Sequence, residues 1–150
     1  MVRKEVAMQI KYRAYFVLIS LFLTPLVNHA RDITLYDESG EVVAWIDTDR
    51  DNNIHLWGGE AVAYLYGQSI YGFNGQHLGW FKKGIVRDHD GCQVGFEKGA
   101  LNKQTRLEGF RFLRKNPPQK ASRQLPPFEP LPKNQWSKMS LASLLTKGRR

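Results

Sequence analysis

The chain has 150 residues, 42% hydrophobic and 24% charged, the balance of a folded core of about one domain. A single cysteine, Cys92, excludes an internal disulfide framework and a Cys-rich zinc site. The net charge of +8 is unevenly spread: residues 31–100 carry six Lys/Arg against eleven Asp/Glu (net −5), and residues 101–150 carry twelve against two (net +10), which moves any nucleic-acid role away from the core.

Residues 1–14 hold Arg3, Lys4, Lys11 and Arg13, and residues 15–27 (YFVLISLFLTPLV) hold no charge. A basic segment followed by an apolar stretch of this length has the pattern of a secretory signal peptide, and falls short of the roughly 20 residues of a membrane span. Ala30 in Val27-Asn28-His29-Ala30 offers the small residue a cut requires. Residues 1–30 are therefore read as a signal peptide and the mature chain as secreted or periplasmic, with an uncleaved membrane anchor as the alternative. No cysteine near the cut could carry a lipid.

Residues 33–96 contain one unit four times. Each copy has an opening isoleucine (Ile33, Ile54, Ile70, Ile85), a glycine turn (Gly40, Gly58-Gly59, Asn74-Gly75, Asp90-Gly91) and an aliphatic–small–aromatic triplet. The triplets are Val43-Ala44-Trp45, Val62-Ala63-Tyr64, Leu78-Gly79-Trp80 and Val94-Gly95-Phe96. Asn-Gly between apolar runs predicts a hairpin with a type I′ turn, which needs φ > 0 at both central residues. Side chains alternate along a strand, so Val43/Trp45 and their equivalents are expected on one face and Ala44, Ala63, Gly79 and Gly95 on the other. A lone hairpin is unstable in water. The four must pack together, and a ring of Trp45, Tyr64, Trp80 and Phe96 is the expected core because aromatics bury the most area. Gly79 and Gly95 mark close backbone approach. Tyr36, Trp57 and Phe73 align as a second aromatic set, whose fourth member is Asp88.

Residues 107–113 (LEGFRFL) alternate like one more strand that covers an open edge. From residue 115 the chain becomes basic and Pro-rich, with Pro117-Pro118, Pro126-Pro127, Pro130 and Pro132. Such a segment favours extended polyproline II and does not pack. Trp136, Met139, Leu141, Leu144 and Leu145 suggest a short amphipathic piece that docks. The expected organisation is a signal peptide at 1–30, a four-hairpin β domain at 31–114 and a largely disordered basic extension at 115–150.

Leu56-Trp57-x-Gly59, Tyr71-Gly72-Phe73-Asn74-Gly75, His77-Leu78-Gly79-Trp80 and Asp90-Gly91-x-x-Val94-Gly95-Phe96 together resemble the bacterial four-fold β-flower domain over residues 33–96. The stretch ending at Trp136-Ser137 resembles the tail of some members. The resemblance implies an all-β module of four pseudo-symmetric hairpins and transfers no catalytic residue.

Candidate chemistry lies in the acidic turns. Asp47-x-Asp49-x-Asp51 spaces carboxylates like the start of a calcium loop, but Gly58 stands where the bidentate Glu belongs. Calcium is thus the one cofactor candidate, on Asp47, Asp49 and Asp51. Asp88-His89-Asp90 flanks a histidine with carboxylates, an acid–base pattern that also reads as a solvated turn. His55 and His77 lie at non-equivalent positions. No serine or cysteine sits in a nucleophile elbow, so no catalytic residue is assigned. The tail cations are scattered among prolines and give no specific nucleic-acid signal. Phe128 among prolines suits an aromatic groove, and an envelope protein reached through the tail is the expected kind of partner. The sequence favours an exported, non-enzymatic structural or binding module over a small calcium-dependent or hydrolytic factor.

Overall fold

The structure is a computed structural model that describes residues 31–149; the expected signal peptide lies outside the described residues. Eight strands run in chain order: β1 Ile33–Tyr36, β2 Val42–Asp47, β3 Asn53–Leu56, β4 Ala61–Tyr66, β5 Ser69–Gly72, β6 His77–Lys82, β7 Ile85–Arg87 and β8 Gln93–Glu97. Each pairs antiparallel with its neighbours, and β1 pairs with β8 (Leu35 opposite Glu97, Tyr36 opposite Phe96), so the sheet closes into a barrel. The fold is all-β and built from four hairpins, as the repeats require.

The turns divide differently from the expectation. At the tip of each hairpin a glycine N–H donates to the carbonyl three residues back: Gly40 to Asp37, Gly59 to Leu56, Gly75 to Gly72 and Gly91 to Asp88, at 2.8–3.1 Å. These glycines have φ of 78°, 89°, 85° and 81°, whereas Asn74 is not among the positive-φ residues. Asn74-Gly75 is therefore not a type I′ turn. The chain makes a type I-like turn followed by one left-handed glycine, the bulge-forming loop that is the next commonest hairpin. Two consecutive positive-φ residues occur instead at Asp51-Asn52 and Lys83-Gly84, which join one hairpin to the next.

A register shift falls at the same place in every hairpin, after Leu35, Ile54, Ile70 and Val86. It corrects the sequence alignment. The true equivalents are Leu35/Ile54/Ile70/Val86 and Tyr36/His55/Tyr71/Arg87, while Trp57 and Phe73 sit two residues further on, in the turns. The extra residue on the returning strand (Val43, Val62, Leu78, Val94) also breaks strict alternation. Val62, Leu78 and Val94 join Leu35, Ile54, Ile70, Val86, Ala44 and Ala63 in the interior, and Val43 packs against them.

This shift explains where the aromatics go. Trp45, Tyr64, Trp80 and Phe96 hold equivalent register positions, opposite Thr34, Asn53, Ser69 and Ile85, and all are buried. They do not form one central ring. Ala44 and Ile46 point inward, so Trp45 between them faces outward. Each aromatic meets the following hairpin: Trp45 stacks on His55 at 5.0 Å, Tyr64 on Tyr71 at 6.0 Å, and Phe96 packs on Tyr36 at 5.9 Å. The interior has small residues where it is narrow. A Cβ on Gly79 would stand 2.2 Å from the Arg87 carbonyl oxygen, and one on Gly95 would stand 2.7 Å from Leu141 Cδ2.

Residues 101–137 form a strap around the barrel. They are neither an extra strand at 107–113 nor a free extension from 115, since a closed barrel leaves no edge to cover. Backbone amides nine residues apart donate to the four turn glycines in order: Arg106 to Gly40, Lys115 to Gly59, Gln124 to Gly75 and Lys133 to Gly91, at 2.7–3.0 Å. Proline cannot donate, and none occupies these four positions. The strap ends beside its beginning. Gln93 N–H donates to the Gln135 carbonyl, Ser137 N–H donates to the Gln93 carbonyl, and Trp136 lies against Phe96 with Lys103 above it.

The charge asymmetry is met in part within the molecule. Strap cations pair with barrel acids: Arg106 with Glu41, Arg111 with Asp32, Arg114 with Asp47 and Lys120 with Asp51; Glu129 pairs with Lys82. Arg111 and Lys120 also cover Trp45 and Tyr64 at 4.7 and 4.5 Å. After the strap comes α1, Leu141–Thr146, capped by the Ser140 side chain, which accepts from Ser143 N–H. Its Leu141, Leu144 and Leu145 are buried in the barrel interior. Beyond it, Gly148 packs so tightly on Gly72 that a Cβ there would stand 2.2 Å from its Cα.

Two outcomes are expected. Leu144→Ala removes a plug residue that is 2% exposed and lowers unfolding free energy by about 2–5 kcal/mol in denaturant titration; a loss of a few tenths would show that α1 is peripheral. Gly75→Ala places a Cβ 2.0 Å from the Ser122 carbonyl oxygen at φ +85°, so limited proteolysis cuts the strap near residues 121–124 faster than in the wild type. Unchanged cleavage would remove the anchoring role.

Candidate functional site

The four hairpins differ most at the junction of the third and fourth. His77 begins β6, opposite Tyr71, and His89 sits in the turn after β7. The closed barrel brings them together, with His77 Nδ1 2.8 Å from His89 Nε2. Trp80 packs against both rings, at 4.7 and 5.5 Å, and Tyr71 packs edge-on against His77 at 5.1 Å. Gln124 of the strap covers the same spot, its side chain accepting from His77 N–H. His77 is 3% exposed, and its Nε2 has no partner among the described residues. A stranded N–H costs more than a stranded lone pair that could accept weakly, so the favoured tautomer carries its proton on Nδ1 and donates it to His89.

Burial, and secondarily the charge that His89 would carry, push His77 down to about 4. Burial also lowers His89, against the opposing pull of Asp88 and Asp90 and with a smaller push from Lys147. The pair is therefore neutral at pH 7. Asp88 is not an acid–base partner in this arrangement: its Oδ1 accepts from Asp90 N–H and Cys92 N–H and shapes the turn. His55 is separate from the pair. It stacks on Trp45, and its Nδ1 lies 3.2 Å from the Gly59 carbonyl oxygen. Cys92 is buried and receives a hydrogen bond from Gln135 Nε2, the setting of a small packing residue.

The structure does not gather the calcium candidates. Asp47 is 1% exposed and held by Arg114, whereas the Asp51 side chain is largely exposed and paired with Lys120. Asp51 takes positive φ in a tight turn, and Asp49 lines a groove with Trp45, Arg111 and Arg114. Among the described residues no group of three His, Cys, Asp or Glu is placed to hold a metal ion. Two of the three carboxylates that looked like ligands in a row are spent on the strap, Asp47 on Arg114 and Asp51 on Lys120.

The His77–His89 contact was not legible in the sequence. The two are twelve residues apart on different hairpins, and only the register that sets Tyr71 opposite His77 and curls the next turn over it makes them neighbours.

The unfolded imidazole protonates near 6.5 and the folded His77 near 4. Between those values the unfolded state binds more protons. Stability is complete above about pH 6.5 and falls as pH drops toward 4, by up to about 3 kcal/mol from this group. Thermal melts across that window should show a steeper fall for the wild type than for His77→Gln. Parallel slopes would mean that the pair does not titrate as described.

The family model described as 4-fold beta flower protein matches residues 33–145. No curated protein and no solved structure matches the chain. The match runs from the first residue of β1 through the strap and into α1, so it takes in the barrel together with the segment that encircles it, and the chain belongs to the 4-fold beta flower protein family.

Proposed function

We propose that the chain is an exported, non-enzymatic β-repeat domain, acting as a structural or binding module of the bacterial envelope or the secreted fraction. The observation that carries the binding role is the outer surface of the strap. Its backbone is fixed to the four turn glycines, yet Leu107, Phe110, Leu113, Leu125, Phe128 and Leu131 are each more than 80% exposed. Large apolar side chains held outward by a pinned backbone are a contact surface. Export is supported by the basic segment and the uncharged stretch at 15–27, followed by Ala30.

Export is tested by fusing residues 1–40 to an alkaline phosphatase that lacks its own leader and is active only outside the cytoplasm. The fusion should be active, and replacing two leucines within 15–27 by arginine should abolish that activity. Activity no higher than a leaderless control would end the export reading.

A further inference from the structure

We infer that the face formed by strap residues 107–113 is a membrane-docking surface whose partner is a phospholipid bilayer. This rests on the binding-module reading and names its partner. Leu107, Phe110, Phe112 and Leu113 are 97%, 81%, 60% and 89% exposed. Four large apolar side chains within seven residues exceed the scattered exposure of an ordinary surface. They are not free to turn inward. Arg106 N–H is bound to the Gly40 carbonyl, Phe112 N–H to Trp57 and Lys115 N–H to Gly59, and the Phe110 and Phe112 rings pack edge to face at 5.6 Å.

The course of the chain says what covers this face. Arg31 and Asp32, where the described chain begins, line a groove of about 650 Å³ together with Glu108, Gly109 and Arg111 of the strap. Asp32 pairs with Arg111 at 2.8 Å. The uncharged stretch ends at Val27, four steps before Arg31, a reach of at most about 14 Å. A bilayer that takes up residues 15–27 thus lies within that distance of the point where the apolar face begins.

Charge does not supply the attraction. Arg106, Arg111 and Arg114 are matched by Glu41, Asp32 and Asp47. Docking is by apolar insertion, with the arginines at headgroup level, and takes neutral and anionic lipid alike with little salt dependence. Leu125, Phe128 and Leu131 lie two strap intervals further on, beside the third and fourth hairpins. They sit between the Gly75 and Gly91 anchors, whereas residues 107–113 sit between those of Gly40 and Gly59, which makes them the internal control.

The test uses the chain from Arg31 onward, since the barrel, strap and α1 all lie within residues 31–149. Co-sedimentation with phosphatidylcholine vesicles and with vesicles containing phosphatidylglycerol is measured at about 0.1 M and 0.5 M salt, where screening differs roughly twofold in length. The wild type should pellet with both lipids at both salts. The triple variant Phe110→Ser, Phe112→Ser, Leu113→Ser should lose at least about tenfold in partitioning with an unchanged melting temperature, and Leu125→Ser with Phe128→Ser should bind like the wild type. No co-sedimentation, equal loss in both variants, or binding only to anionic vesicles at low salt would each overturn the inference. Purified protein needs no export to bind vesicles, so failure here and failure of the phosphatase fusion are distinguishable.

Discussion

The carbonyl oxygens of Gly40, Gly59, Gly75 and Gly91 lie at the four corners of one end of the barrel, and each accepts an amide from the strap at nine-residue intervals. A glycine is needed at each corner because φ is positive there. At Gly40, Gly59, Gly75 and Gly91 alike, a Cβ would also collide with a strap carbonyl at 2.0–2.4 Å. One residue type thus satisfies the turn and the docking together. The barrel strands are only three to six residues long, and their outward aromatics would be wet without a cover. The strap supplies it, and α1 fills the interior from the same end of the chain. Barrel, strap and plug therefore depend on the same four corners.

Electrostatics follow the same plan. An acidic repeat region and a basic tail read, in isolation, as a protein looking for a charged partner. The ion pairs between them are mostly solvent-exposed, each worth about 0–1 kcal/mol, and their main effect is register. Arg106, Arg111, Arg114 and Lys120 meet Glu41, Asp32, Asp47 and Asp51 as the strap passes from the first hairpin to the third. Pairing with the barrel engages part of the strap's charge, and leaves its apolar residues offered to the outside.

The fourfold arrangement is regular where it holds the fold and irregular where the junctions differ. The position of Tyr36 is filled in turn by His55, Tyr71 and Arg87, and the turn position of Glu38 by Trp57, Phe73 and His89. At three junctions an outward aromatic finds a second ring directly across the strand pair. At the one facing Arg87, Trp80 is packed instead by His77 and His89. The histidine pair is thus the substitute that one unlike corner requires, and burial makes it neutral.

The repeat, the glycine corners, the hairpin count and the presence of a short apolar piece near residue 141 were readable from the sequence, because each is a local pattern of residue type and spacing. The equivalence of Trp45, Tyr64, Trp80 and Phe96 came from the same local pattern. Which face they occupy did not, because one extra residue per returning strand reverses the alternation and leaves no mark in composition. The nine-residue spacing of Arg106, Lys115, Gln124 and Lys133 was likewise invisible: it is carried by backbone amides, which every residue but proline possesses. The His77–His89 contact and the pairing of Asp47 with Arg114 arise from barrel closure and the path of the strap. Sequence determined the units of this protein; tertiary structure alone decided what faces inward, what the tail encircles and which polar groups meet, since each depends on long-range registration between segments that share no local signal.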